Sequence, residues 1–252
     1  MSMEPSGDVR GADAGVCPYQ VAHPAMIQRW NVLTFLHWRF PPDAVQRLLP
    51  PGLEVEVYDG DAWVGLVPFL MEVGLPHVRP LPWVSRFCET NVRTYVRDGA
   101  GRSGIWFFSL DASRLGAVVV ARTTYRLPYY WAEMNVDRDG PVVRYHCRRR
   151  WPGPWGAAGD AVIEIGEAYR PEEVSALEHF LTARWALFSV AGSRRRFALA
   201  RHQPWPLRRA RVLHLRDDLL PAAGLPRVSE PPLAHFSPGV EVDIGRPQSE
   251  PL

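Results

Sequence analysis

Glu89, Asn91, Arg93 and Tyr95 stand at every second position of the run Phe87 to Arg97. In an extended chain that spacing puts them on one face, with Phe87 and Arg97, while Cys88, Thr90, Val92, Thr94 and Val96 form the other. The small, β-branched face suits packed protein. The opposite face carries a carboxylate, an amide and guanidinium groups between aromatic rings, so it meets either water or a polar cavity. In water, Glu89 would join an exposed cross-strand ion pair worth little. In a partly dry cavity, burial would raise its pKa and suit it to general acid or base work.

The chain narrows the chemistry further by what it lacks. All 29 Lys-plus-Arg cations are arginines, so no side-chain amine is present to form a Schiff base with a carbonyl. The net charge of +2 gives too weak a field for a nucleic-acid partner. The basic runs His146 to Arg150 and Arg194 to Arg196 read as solvated strand ends. The eight histidines form no closely spaced pair, which argues against a metal site. No phosphate loop or Gly-x-Ser-x-Gly elbow appears, and no motif calls for an organic cofactor.

The 252 residues, 46% hydrophobic, fit one soluble domain. Three sparse cysteines oppose a disulfide framework and fit reduced thiols in a cytoplasmic setting. Residues 1–24 read as a disordered tail without the basic-then-apolar order of a secretory signal, and 247–252 as a second tail. The apolar run Leu115 to Ala121 is too short for a membrane span.

Strands are expected over Trp30–Phe40, Leu53–Val57, Ala62–Val73, Phe87–Arg97 and Gly104–Leu110. Further strands follow at Tyr129–Val136, Pro141–Arg150, Gly159–Tyr169, Arg196–Arg201, Ala210–Arg216 and Gly239–Ile244. Asp59-Gly60 and Asp139-Gly140 mark hairpin turns. Helices are expected over Asp43–Leu49, from Ala112 to Arg122 behind an Asp111 cap, and from Pro171 to Trp185. Many hairpins with few helices imply a curved sheet or barrel of the α+β class.

Several ordered motifs carry a family resemblance. They are His37-Trp38-Arg39-Phe40-Pro41, Leu48-Leu49-Pro50-Pro51-Gly52-Leu53, and Asp59-Gly60-Asp61-Ala62-Trp63 through Phe69. Then come Phe87-Cys88-Glu89-Thr90-Asn91-Val92-Arg93, Gly104 through Ala112, Leu127-Pro128-Tyr129-Tyr130 and His235-Phe236-Ser237-Pro238-Gly239. Together, over 25–246, they resemble the YqjF-like family of uncharacterised proteins, which is similar in fold to acetoacetate decarboxylase. The resemblance implies a cone-like, mostly antiparallel β-barrel with a few surrounding helices. It also implies that Arg39 and Glu89 match the decarboxylase's active-site arginine and glutamate. Where the decarboxylase carries its adjacent lysines, this chain has Tyr129 and Tyr130. A phenol forms no iminium, so fold likeness does not transfer the decarboxylation.

Three functions remain open. A binding protein would hold a small polar or anionic metabolite with Arg39, Glu89, Arg93 and Tyr129, beside Tyr95 and Tyr130 and inside walls including Trp63, Trp106 and Phe108. An enzyme of the lyase, hydratase or isomerase type would use Glu89 to move protons, Arg39 to stabilise an oxyanion, and Tyr129 or Tyr130 as acid. A homo-oligomeric scaffold would need neither, and a filled interior would favour it.

Overall fold

The computed structural model describes residues 15–74, 76 and 85–251. Its strands are β1 (Met26–Phe40), β2 (Leu53–Val55), β3 (Val57–Tyr58), β4 (Asp61–Gly74), β5 (Arg86–Asp98), β6 (Ser103–Ala112) and β7 (Tyr129–Asp139). They continue with β8 (Val142–Trp151), β9 (Ala158–Ala168), β10 (Ala186–Ala191), β11 (Arg194–His202), β12 (Arg208–Asp217), β13 (Leu233–Ile244) and β14 (Gln248–Pro251). The helices are α1 (Pro42–Gln46), α2 (Leu115–Thr124), α3 (Ala176–Thr182) and α4 (Leu219–Ala222).

The strand pairings return to their start. From β5 they run through β6, β7, β8, β9, β12, β13, β1 and β4, and back to β5. A second circuit leaves β6 through β10 and β11 and rejoins at β13. The ring is mostly antiparallel, as expected; among the described pairings only β6–β7 and β6–β10 are parallel. Closure removes free sheet edges from the strands it includes. At Asp59 and Gly60 the backbone has φ of 54° and 85°, the left-handed pair that a two-residue hairpin requires, and β3 folds back on β4 there.

Alternation along the shared strands serves two interiors. Even-numbered residues such as Leu36, Trp38, Val64, Leu66 and Val92 pack with Val143, Tyr145, Ile163, Leu219 and Leu220, filling the larger circuit. Odd-numbered residues such as Leu33, Phe35, Val67, Phe69 and Phe87 face the smaller circuit, together with Ile105, Phe107 and Tyr129.

Three local expectations change. Pro171 to Trp185 is not one helix: a 3-10 turn covers Pro171–Glu173, and α3 starts afresh after Ser175, whose side chain accepts from the Leu177 N–H in a capping box with Glu178. The chain from Ala186 is β10, which extends the sheet. Asp111 caps no helix; it lies within β6, taken by an ion pair with Arg149, and α2 begins at Leu115. The last residues pair with β11 as β14, where Glu250 meets Arg102 and Arg195. Of the N-terminal tail, 1–14 lie outside the described residues, and 15–25 form no helix or strand. Among the described residues no helix is long and apolar enough to cross a membrane.

Candidate functional site

Cross-strand register stacks the inward residues of β1, β4 and β5 in layers. Phe69 pairs with Glu89, Val67 with Asn91, and Gly65 with both Arg93 and His37. In the next layer Trp63 pairs with Arg39, and its neighbour Val64 with Thr94 places Tyr95 alongside. A cavity of about 590 Å³ runs from Val73 and Phe87 past Phe69 and Glu89 to Asn91 and Arg93. Glu89, Asn91, Arg93 and Tyr129 line it, amid mostly apolar neighbours including Trp30, Leu33, Met71, Phe107 and Leu110. One wall comes from α2 and its flanks, where the exposed Arg114 and Val120 carry the lining out to solvent.

Glu89 is 2% exposed. Burial pushes its carboxyl from 4.5 up to about 8, opposed by a hydrogen bond from Tyr129 and reinforced by the nearby charge of Asp111. Tyr129 Oη donates to Glu89 Oε2 at 2.8 Å. Burial, and then the adjacent carboxylate, hold the Tyr129 phenol well above its ordinary value, so it stays a donor. At neutral pH the pair presents a largely neutral carboxyl to the cavity, a group that exchanges a proton near pH 8.

Arg93 is 5% exposed and has no carboxylate partner among the described ion pairs. Its Nη2 donates to the Leu181 carbonyl at 3.3 Å, and its Nε has no partner. The guanidinium carbon lies 5.3 Å from the Phe35 ring centre and 5.8 Å from that of Tyr95. Asn91 Oδ1, also buried, has no partner either. Both residues line the cavity, so their unpartnered groups depart from the rule that buried polar atoms are hydrogen-bonded.

Beyond Arg93 the interior is plugged. Tyr95 donates to the Leu181 carbonyl at 2.7 Å, in the last turn of α3, where helix carbonyls lack internal partners. His37 Nε2 meets the same phenol at 2.6 Å. Burial, and then the Arg93 charge, hold His37 well below its ordinary pKa, so the ring is neutral. Gly65 makes the close approach possible, since a Cβ there would lie 2.9 Å from His37 Nε2. Trp63 and Leu181 complete the plug with Tyr95.

Several expected site residues are thereby displaced. Arg39 lies in the plug's own layer, paired with Trp63, exposed, 3.7 Å from Asp61 and over the Trp63 ring, and it does not line the cavity. Trp63 and Tyr95 share the correct face but stand one layer, two residues or about 7 Å, beyond Gly65 and Arg93. Trp106 and Phe108 do not line the cavity; they line a second groove with Arg122 and Arg126, which Phe107 and Leu127 border as well. Tyr130 turns from Tyr129's side and lies 3.7 Å under the Arg149 guanidinium. Arg149 is not a solvated strand end: it makes two 2.7 Å bonds to Asp111, with both side chains fully buried. Asn91, Asp111, Arg149 and His37 belong to the site or its support; of these, only Asn91 was marked by strand periodicity. Among the described residues no three His, Cys, Asp or Glu side chains gather to hold a metal.

A closed, mixed ring of strands around one deep cavity defines a protein of the acetoacetate decarboxylase-like fold, with a carboxyl, a phenol and a guanidinium facing the void. Solved structures agree. An acetoacetate decarboxylase-like enzyme from Sphingomonas wittichii RW1 superposes with a TM-score of 0.63 at 14% identity, covering 94% of this chain and 97% of that one. Acetoacetate decarboxylase from Legionella pneumophila gives 0.61 at 12% identity, with 98% of each chain covered. The chain belongs to DUF2071, a family of uncharacterized conserved proteins, whose model matches residues 27–241. It is 31% identical to the uncharacterized protein YqjF of Bacillus subtilis over 219 residues, 84% of this chain and 87% of that protein.

Proposed function

We propose that the chain binds a small molecule with a polar or anionic group inside this cavity, without covalent capture by a side-chain amine. The carrying observation is that Glu89, Asn91, Arg93 and Tyr129 line one void of about 590 Å³ whose remaining walls are mostly apolar. A few convergent polar groups in an apolar pocket of this size are the usual composition of a small-molecule site. The unfilled interior disfavours a purely structural scaffold. Three free cysteines fit a reducing, cytoplasmic setting. Because one neighbour is by name an acetoacetate decarboxylase, short keto acids belong in the test set. A thermal-shift screen over keto, aliphatic and aromatic acids, with analysis of molecules carried through purification, checks the reading. Stabilisation by at least one class is expected; a flat response across the library would overturn it.

A second reading, an acid–base enzyme, rests on the Glu89–Tyr129 pair, because a carboxyl titrating at about 8 is matched to proton transfer near neutrality. It proceeds without Arg39. Turnover of a screened substrate that survives Glu89→Gln unchanged would remove it.

A further inference from the structure

Four arginines are buried among the described residues: Arg93, Arg149, Arg184 and Arg195. Three have carboxylates. Arg149 is paired with Asp111, Arg184 with Glu56, and Arg195 with Asp98 and Glu250. Arg93 has none, although a buried guanidinium without a counter-charge is costly. It keeps one long bond to a carbonyl, an unpartnered Nε, and a place in the lining of the cavity.

We infer that the cavity's ligand is an amphipathic monocarboxylate, whose carboxylate pairs with Arg93 and whose apolar body lies along Trp30, Phe69, Met71, Phe87 and Phe107. This rests on the reading that the cavity holds a small molecule. Charge selects the head group. One buried cation matches one negative charge, and it repels an ammonium. The cavity's own carboxyl does not compete for Arg93's role, because Glu89 is held largely neutral at pH 7 and bonded to Tyr129. A neutral Glu89 also leaves an incoming carboxylate unrepelled. Size and wall chemistry select the body. The few polar groups stand in a void of about 590 Å³ whose lining is otherwise mostly apolar, so a short acid would satisfy Arg93 and leave most of the aromatic and aliphatic walls uncovered. An apolar tail of several carbons removes that surface from water.

Calorimetric and thermal-shift titrations at pH 7 with octanoate, octan-1-ol, octylamine and acetate test the inference. Octanoate is expected to bind at least tenfold more tightly than octan-1-ol or acetate, and octylamine more weakly than either eight-carbon competitor. Arg93→Met is expected to erase the preference for octanoate over octan-1-ol. If that variant does not fold, the wild-type ratios decide. Equal affinity for octanoate and octan-1-ol overturns the carboxylate assignment, and acetate matching octanoate overturns the apolar body; either outcome leaves the cavity as a ligand site. Silence from all four compounds, beside a hit in the wider screen, overturns the inference alone. Silence in both overturns the binding function with it.

Discussion

Tyr129 donates its hydrogen bond to Glu89 across β6, the strand between theirs. Register explains the meeting. Glu89 pairs with Ala112 on one side of β6, and Leu110 pairs with Tyr129 on the other. The bond favours the ionised carboxyl, so Tyr129→Phe is expected to move the Glu89 midpoint above about 8. Loss of one buried hydrogen bond should also cost about 1–2 kcal/mol of stability. Infrared titration of the carboxyl band and urea denaturation check both, and an unmoved midpoint would deny the bond its electrostatic role.

The same carboxyl makes stability depend on pH. Its native pKa, about 8, lies above the ordinary 4.5. Between those values the folded chain holds a proton that the unfolded chain releases. Its contribution is therefore complete below about pH 4.5 and declines as pH rises toward 8. Glu89→Gln removes the titration. Relative to wild type, the variant should gain about 1.4 kcal/mol per pH unit across that window. Urea denaturation of both proteins at pH 5, 6.5 and 8 measures the difference. Other titrations, such as His202, which burial depresses to about 4, act on both proteins and cancel.

Strand periodicity revealed the face of β5 that carries Glu89, Asn91 and Arg93, because alternation is a property of the local chain. Its two stated outcomes, water or a polar cavity, were separated only by the ring closure, which no short stretch encodes. Position along a face was equally hidden: Leu33 and Arg39 share a side of β1, yet Leu33 lines the cavity while Arg39 stands level with the plug residue Trp63. On β6, alternation was legible, but it was Phe107 and not Trp106 or Phe108 that faced the void. Arg149 sat in a basic run that resembled a solvated strand end, and its partner Asp111 lies 38 positions away.

Asp111 and Arg149 offer a direct measure of buried pairing. With both side chains fully buried, Asp111→Asn strands the guanidinium, and a loss of about 3–5 kcal/mol is expected. Replacing both, as Asp111→Leu with Arg149→Met, should cost less than the single change, because no uncompensated charge remains. Asp111→Asn should also lower the Glu89 midpoint, since the Asp111 charge helps to raise it. Denaturation of the three variants and a Glu89 titration in the single variant provide the readouts. A double variant worse than Asp111→Asn would show that packing around the pair, and not its charge, dominates.

Arg39 and Arg93 should separate cleanly on substitution. Arg39 has a side chain 58% exposed, and its contacts are Asp61 at 3.7 Å and the Trp63 ring at 5.2 Å. An exposed pair of that kind contributes little, so Arg39→Ala should change stability by no more than about 1 kcal/mol. Ligand affinity should stay within about twofold, because Arg39 stands level with the plug residue Trp63 and does not line the cavity. Arg93→Met, by contrast, removes the cation that lines the void. The comparison needs only one ligand found by screening and the two variants measured side by side. A tenfold affinity loss in Arg39→Ala would mean that the plug opens to the far end of the ring, and the ligand would then span both guanidinium groups.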